Sequence, residues 1–449
     1  MPKSSAELHA AVRDVLPSVR ADLEYLVRIP SVSADPARAG DVRRSAEAVA
    51  ALFRAEGFSD VQILSAEGGA PAVVARRPAP DGAPTVLLYA HHDVQPVGDP
   101  ALWDSEPFEP VERGDRLYGR GCADDKAGIA AHLAALRAHG DDLPVGVTVL
   151  VEGEEEVGSP TLHAFLTEHE KLLSADVIVI ADSGNWAIGE PALTTSLRGL
   201  VDCFVEVRTL DHAVHSGMWG GVVPDALTTL CRLLATLHDD DGNVAVQGLH
   251  RGRAADVDYP LDRLREESGI ADGVQLIGSG PVVERMWAQP AIAVIGLDTT
   301  RVADASNTLI PSARAKISMR LAPGDEASAA MERLRAHLEA NVPWGAQLTF
   351  EAGDLGEPIA IDATGPAYDA ARAAFREAWD GVDPVDMGAG GSIPFIAAFH
   401  DAFPDAAVLV TGVEDPDTRA HGANEGLHLG EFGRVCLAEA LLLNNLTAR

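Results

Sequence analysis

Two histidines and a scatter of acids, each at the end of an apolar segment, are the residues of this chain whose types and spacing suit chemistry. In AHHDVQPV (90–97), His91 and Asp93 stand two apart and share one face of an extended strand. That places an imidazole able to ligate a metal beside a carboxylate able to fix its ring. His92 faces the other way. In LYGRGCADDKAG (117–128), Asp124 and Asp125 follow a Gly-rich turn and open a helix, where acids also serve as caps. VEGEEEVGS (151–159) packs Glu152, Glu154, Glu155 and Glu156 into five positions after an apolar strand. Such crowding costs like-charge repulsion unless a cation or bound protons offset it. Asp182 ends another apolar run in ADSG, and His421 lies in the loop RAHGANEG (419–426). Each signal alone is as easily structural. Together they offer nitrogen and oxygen ligands without sulfur, which suit Zn²⁺ in an open catalytic site, or Mn²⁺ or Co²⁺. One carboxylate beyond the ligands is needed as general base.

The elements that must position these residues follow from the pattern. Residues 5–28 and 41–56 read as amphipathic helices, and 126–139 as a third. Apolar runs at 60–65, 72–77, 85–90, 146–153 and 176–183 read as strands of a largely parallel α/β sheet. Open sheets of this kind place their sites at the strand ends. From Gly199 the texture changes. Strands at 199–210, 291–298, 313–322 and 346–353, with helices at 224–238 and 325–340, give β-α-β-β-α-β, the ferredoxin-like plan. A polar stretch at 239–285 interrupts it and reads as an insertion or long loop. Helix 365–379, strand 407–413 and helix 431–446 return to α/β texture. The expected organisation is a catalytic domain in two parts, 1–197 and 358–449, with a lid domain at 198–357 inserted between them. Its fold class is α/β, a mixed, largely parallel sheet flanked by helices, carrying an α+β lid.

Composition narrows the partners. The chain has 449 residues, 47% hydrophobic and 23% charged, which is ordinary for a globular protein with sizeable cores. Against 68 acidic residues stand 35 basic ones, a net −33. That balance argues against nucleic acid or an anionic membrane as partner. Cys122, Cys203, Cys231 and Cys436 show neither a disulfide framework nor a zinc-knuckle spacing. With no apolar run after a basic start, and none reaching the ~18 residues of a membrane span, a cytoplasmic location is expected.

The ordered set AHHDVQP, YGRGCADDK, EGEEEVGS, the strand ending in Asp182, HSG (215–217), NTLIPSARAKISMRL (307–321), GGSIP (390–394) and HGANE (421–425) resembles the di-zinc amidohydrolase and metallopeptidase family. That family includes carnosinase-type dipeptidases, carboxypeptidase G, succinyl-diaminopimelate desuccinylase and aminoacylase. The resemblance spans about residues 28–430 and is nearest the cytosolic dipeptidase branch. It implies two divalent ions per subunit, zinc first and manganese or cobalt as alternatives. Asp124 would bridge them, His91 and Asp182 completing one and Glu156 and His421 the other. It further implies Glu155 as general base and Asp93 as the group orienting His91. His215 would act from the lid as oxyanion stabiliser, reaching a partner subunit in a homodimer. Asn307, Thr308, Arg320, Gly391 and Ser392 would hold substrate, with Arg320 suited to a carboxylate. Lys126 reads as a helix-surface charge, and Trp186, Trp219 and Trp287 as core.

One departure stands out. Carnosinase-type members carry a Glu before GGS that binds the free amine of the dipeptide, where this chain has Ala389. Glu425 is a candidate replacement. The expected activity is hydrolysis of a peptide bond in a dipeptide or small peptide. An N-acyl-amino-acid deacylase of the same fold is the alternative, and a non-catalytic metal-binding protein the second. A phosphate-handling enzyme would want a P-loop, which the sequence lacks.

Overall fold

The computed structural model describes residues 3–390 and 394–447. The chain forms two compact units: Met1–Thr195 with Ile361–Met387 and Pro394–Arg449, and Ser196–Ala360 with Gly388–Ile393.

In the first unit the strands lie in the order Asp60–Leu64, Ala72–Arg77, Gly146–Glu152, Thr85–His91, Val177–Ile180, Ala407–Val410, Ala192–Leu197. The middle four run parallel, and the flanking pairings are antiparallel. The parallel strands are buried almost throughout. This is why they read as continuous apolar runs rather than alternating ones. Helix Lys126–His139 is buried at every position but Arg137. Its alanines let it approach the Thr85–His91 strand and helices Ser5–Val27 and Leu429–Asn445 closely. Ser4 and Glu7 form a capping box that starts the first of these.

Because the four central strands are parallel, their C-terminal ends lie along one edge of the sheet. The loops that follow them carry Asp93, Glu155 and Glu156, Asp182, and His421. The strand expected to reach residue 413 stops at Val410. Beyond it the chain turns close against Ser183, where only Gly412 fits: a Cβ there would collide with the Ser183 backbone. Strands Ala192–Leu197 and Val385–Ala389, which pair with each other, were not anticipated. Neither was the ribbon Val111–Arg113, Arg116–Tyr118, Gly426–His428, which joins the segment before Asp124 to the one after His421.

The second unit has an antiparallel sheet in the order Ala291–Asp298, Ser312–Leu321, Gly199–Arg208, Gln347–Gly356, the ferredoxin-like plan. In Ser312–Leu321 alternate residues are buried. Ala315, Ile317 and Met319 join the core beneath helices Ala226–Ala235 and Ala327–Ala340, and Lys316 and Arg320 take the other face. The 239–285 stretch is not merely loop, since it contains helix Leu261–Ser268. Among the described residues no helix is long and apolar enough to cross a membrane.

Candidate metal centre

His91 is the last residue of its strand and fully buried. Its backbone N–H donates to Asp125 Oδ2 (3.1 Å), and its Nδ1 lies 3.1 Å from the Asp93 carbonyl and 3.4 Å from Asp93 Oδ1. These contacts direct Nε2 to Asp124 Oδ1 (3.1 Å), with Asp182 Oδ2 at 3.8 Å and Glu155 Oε2 at 3.9 Å. The other oxygen of Asp124 faces His421 Nε2 at 3.0 Å, and Glu156 Oε2 lies 3.2 Å from the same nitrogen. Asp124 therefore presents one oxygen to each histidine. Ligand atoms of His91, Asp124 and Glu156 lie within 4.8 Å of one another, as do those of His91, Asp125 and Asp182.

His421 reaches this position from a backbone with φ of +61°, flanked by Arg419 at +58° and Asn424 at +60°. Non-glycine residues visit this left-handed region at a cost, and such residues cluster at functional sites. Two buried clamps hold the surrounding loops. Asp93 accepts the N–H groups of Glu155 and Glu156 (3.2 and 3.1 Å). Glu425 accepts those of Gly121, Ala123 and Asp124 and pairs with Arg120 Nη1 at 2.7 Å.

The electrostatics have the signature of a site built for cations. Burial and the neighbouring Asp182, Glu156 and Asp124 push the Glu155 carboxyl up to about 9, although His91 pulls the other way. Burial and the acids around it push Asp182 up to about 7. Hydrogen bonds that its ring donates to Asp124 and Glu156 hold His421 protonated up to about 10. Acids that resist ionising, beside histidines that keep their protons, mark a donor set short of positive charge. Two carboxylate–imidazole clusters sharing one aspartate fit a pair of divalent ions.

Glu155 and Glu156 lie in a 3₁₀ turn, Glu155–Val157, just past the strand Gly146–Glu152. Several expectations are corrected. Lys126 is fully buried, donating to the carbonyls of Leu26 (2.9 Å) in the last turn of helix Ser5–Val27 and of Ile29 (2.8 Å) just beyond it. Glu425 cannot receive a substrate amine, being buried and spent on the 121–124 loop. Trp186 and Trp287 are buried, but Trp219 is half exposed. Gly391 and Ser392 lie outside the described residues. Asp125 caps helix Lys126–His139, the role expected of an acid that opens a helix, and Gly128 is required because a Cβ would meet Asp125 and, at 2.8 Å, the Ala181 carbonyl. Residues not foreseen also act here. Gln95 holds Glu156 through its N–H (2.9 Å) and Nε2 (2.7 Å). Glu414 pairs in parallel with Gly184, two residues past Asp182.

In the second unit, His215 pairs with Thr308 in a short antiparallel ribbon, and the Asn307 carbonyl accepts the Ser216 N–H at 2.9 Å. These three expected residues thus sit together. The His215 side chain is exposed, its Nδ1 accepting the Gly217 N–H at 3.0 Å. Arg320 lies on the sheet face opposite the core. Nearby Arg198, unforeseen, is buried and donates to the carbonyls of Met286 and Gln289, both 2.8 Å. Burial and then the Arg320 charge push it down to about 10.

A helix-flanked sheet with this centre at its parallel strand ends defines a metallohydrolase, and residues 87–445 match the model of peptidase family M20/M25/M40, to which the chain belongs. It is a hydrolase, a metallopeptidase of dipeptidase type. A cysteinylglycine-S-conjugate dipeptidase of Corynebacterium striatum is 37% identical over 369 residues, covering 80% of this chain and 81% of that one. A Beta-Ala-His dipeptidase of Rattus norvegicus is 30% identical, covering 77% and 73%. Among solved structures, Dug1p of Saccharomyces cerevisiae superposes with a TM-score of 0.78 at 24% identity over 100% of both chains. Human carnosine dipeptidase 1 gives the same TM-score and identity over 99% of this chain and 100% of its own.

Proposed function

We propose that the protein hydrolyses dipeptides at a centre of two divalent ions, zinc by preference. The carrying observation is Asp124, one oxygen 3.1 Å from His91 and the other 3.0 Å from His421. His91, Asp124 and Asp182 would hold one ion, and Glu156, Asp124 and His421 the other. Bound ions would supply a Lewis acid for the scissile carbonyl and lower the pKa of water. Glu155, within 3.9 Å of His91 Nε2, takes the proton of the attacking water and returns it to the leaving amine. Asp93 fixes both the His91 ring and the turn that carries Glu155, so one carboxylate sets the base and a ligand in register. In the lid, His215 donates to the oxyanion of a partner subunit's substrate within a homodimer. Asn307 and Thr308 hold the substrate backbone beside it. Arg320, with Arg198 crowding it, takes the terminal carboxylate, and Gly391 and Ser392 contact the substrate backbone.

Free dipeptides are the favoured substrates over N-acyl amino acids, a reading supported by the dipeptidases among the relatives. The four cysteines are free, which suits the reducing cytoplasm. Metal analysis with a hydrolysis screen tests the whole reading. Close to two ions per chain are expected, with activity abolished by chelation, restored by Zn²⁺, Mn²⁺ or Co²⁺, and faster on dipeptides than on N-acyl amino acids. Full activity in a rigorously metal-free preparation overturns it.

A further inference from the structure

A dipeptide differs from an N-acyl amino acid by an ammonium group, and that group lies only two bonds from the scissile carbonyl carbon. The acid that receives it must therefore stand within a few ångströms of the metal ligands. Most acids of this region are already committed. Asp93 holds the Glu155–Glu156 turn and Asp125 caps a helix. Glu152 accepts the Tyr89 hydroxyl at 2.7 Å, and Glu154 accepts the N–H groups of Ala70 and Thr161. Glu425 is enclosed by Arg120 and three backbone amides. Ala389 brings no charge.

Glu414 remains. The tight passage at Gly412 lays the chain against the loop that carries Asp182. Glu414 pairs in parallel with Gly184, its carbonyl accepting the Asn185 N–H at 2.8 Å and its N–H donating to the Ser183 carbonyl at 3.3 Å. The backbone is thus pinned two residues from a metal ligand. The carboxylate is half-buried and in electrostatic reach of Asp124, Asp182 and His421. Among the described residues no hydrogen bond or ion pair engages it. It belongs to neither group of atoms close enough to share an ion. A carboxylate so placed, crowded by Asp124 and Asp182 and with no hydrogen-bonded partner among the described residues, is satisfied by a cation that arrives with the substrate.

We propose that Glu414 receives the free N-terminal ammonium of the dipeptide and so sets the preference for free amines. This rests on the dipeptidase reading above and names the residue that enforces it. The test compares wild type, Glu414→Gln and Glu414→Asp on Ala-Gly and on propionyl-glycine, the same skeleton without the amine. Metal content is measured on each protein. Glu414→Gln should keep the wild-type metal content and lower kcat/KM for Ala-Gly by about 10²–10³, the scale for losing one partner of a desolvated charge pair. Propionyl-glycine should be cleaved as slowly as before, and Glu414→Asp should recover part of the loss. Calorimetric binding of both compounds to Glu155→Gln, with and without Glu414→Gln, gives the same comparison without turnover. The added change should weaken Ala-Gly at least tenfold and leave propionyl-glycine unmoved. Loss of metal, or an equal fall for both compounds, overturns the proposal by making Glu414 a ligand or a general support. An unchanged Ala-Gly rate overturns it too. Failure of the metal-loaded wild type to cleave any dipeptide would instead sink the underlying reading.

Discussion

The loops at the parallel strand ends and the turn around His215 both present histidine, yet they are built on opposite principles. Around His91 both ring nitrogens and the backbone N–H have a protein partner. His215 is exposed, its Nδ1 turned back onto its own chain, with Met218, Trp219 and Val222 exposed beside it. A group whose neighbours hold it in place needs only its ligand to act. One whose apolar neighbours face solvent is, on the function proposed above, completed from outside its own unit. The first arrangement is preorganised and the second conditional, so their failure modes should differ.

The largest effect should come from the preorganised side. Glu155→Gln should slow turnover by about 10²–10⁴ with metal content unchanged, read by steady-state kinetics and metal analysis. If it strips metal while Glu156→Gln leaves metal bound, the two roles must be exchanged. On the conditional side, His215→Ala should cost about 10²–10³ in kcat, metals retained. If His215 acts across a homodimer as proposed, mixing inactive Glu155→Gln and His215→Ala subunits should regain activity, because a hybrid would then hold one intact centre. No recovery after proven subunit exchange would put His215 in its own subunit's site, or outside the mechanism.

A smaller effect tests how the ligands are held. The Gln95 side chain holds Glu156 through Nε2, which donates to its Oε2 (2.7 Å) and its carbonyl (3.1 Å), so Gln95→Leu should weaken metal binding by about 10–100-fold, seen in a competition titration. Unaltered affinity would mean Glu156 is positioned by its turn alone. The smallest concerns a histidine of the same unit away from the centre. His132 is buried, its Nδ1 2.8 Å from Glu439. Burial opposes its charge, but Glu439 raises it above the ordinary histidine range. A raised folded value stabilises fully below the unfolded pKa and fades as pH climbs through the folded one. Glu439→Gln should therefore cost about 1–3 kcal/mol near pH 5, with a shrinking difference at higher pH and turnover unaffected. Urea unfolding across pH reads this directly. A penalty that grows with pH would reverse the assignment.

What was readable beforehand follows from how the residues report themselves. Parallel strands buried on both faces show as apolar runs, and the acids after them mark one sheet edge without any three-dimensional knowledge. The alternation in Ser312–Leu321 gave its two faces away in the same manner. What stayed hidden depends on contacts far along the chain. Lys126 looks like a surface charge until the carbonyl end of helix Ser5–Val27 is set over it. Glu425 looks available until Arg120 and the 121–124 amides close round it. Glu414 could not be singled out because only the close passage of Gly412 past Ser183 brings it to the centre. The strand Ala192–Leu197 is short and mixed in polarity, and it gains its place by pairing rather than by pattern.

The Glu425 clamp has a consequence for how the protein is made. It ties the segment holding the central aspartate to one some 300 residues later, and His421 lies on that late segment. On a ribosome, the first 195 residues emerge long before the strand Ala407–Val410 and the His421 loop exist. Until then the sheet lacks one of its four parallel strands, and Asp124 has neither its amide clamp nor its second imidazole. Distant pairings of this kind form slowly and last. The nascent chain therefore lacks the assembled centre through most of its synthesis, and a truncation before residue 421, which also removes the core helix Leu429–Asn445, should show no peptidase activity.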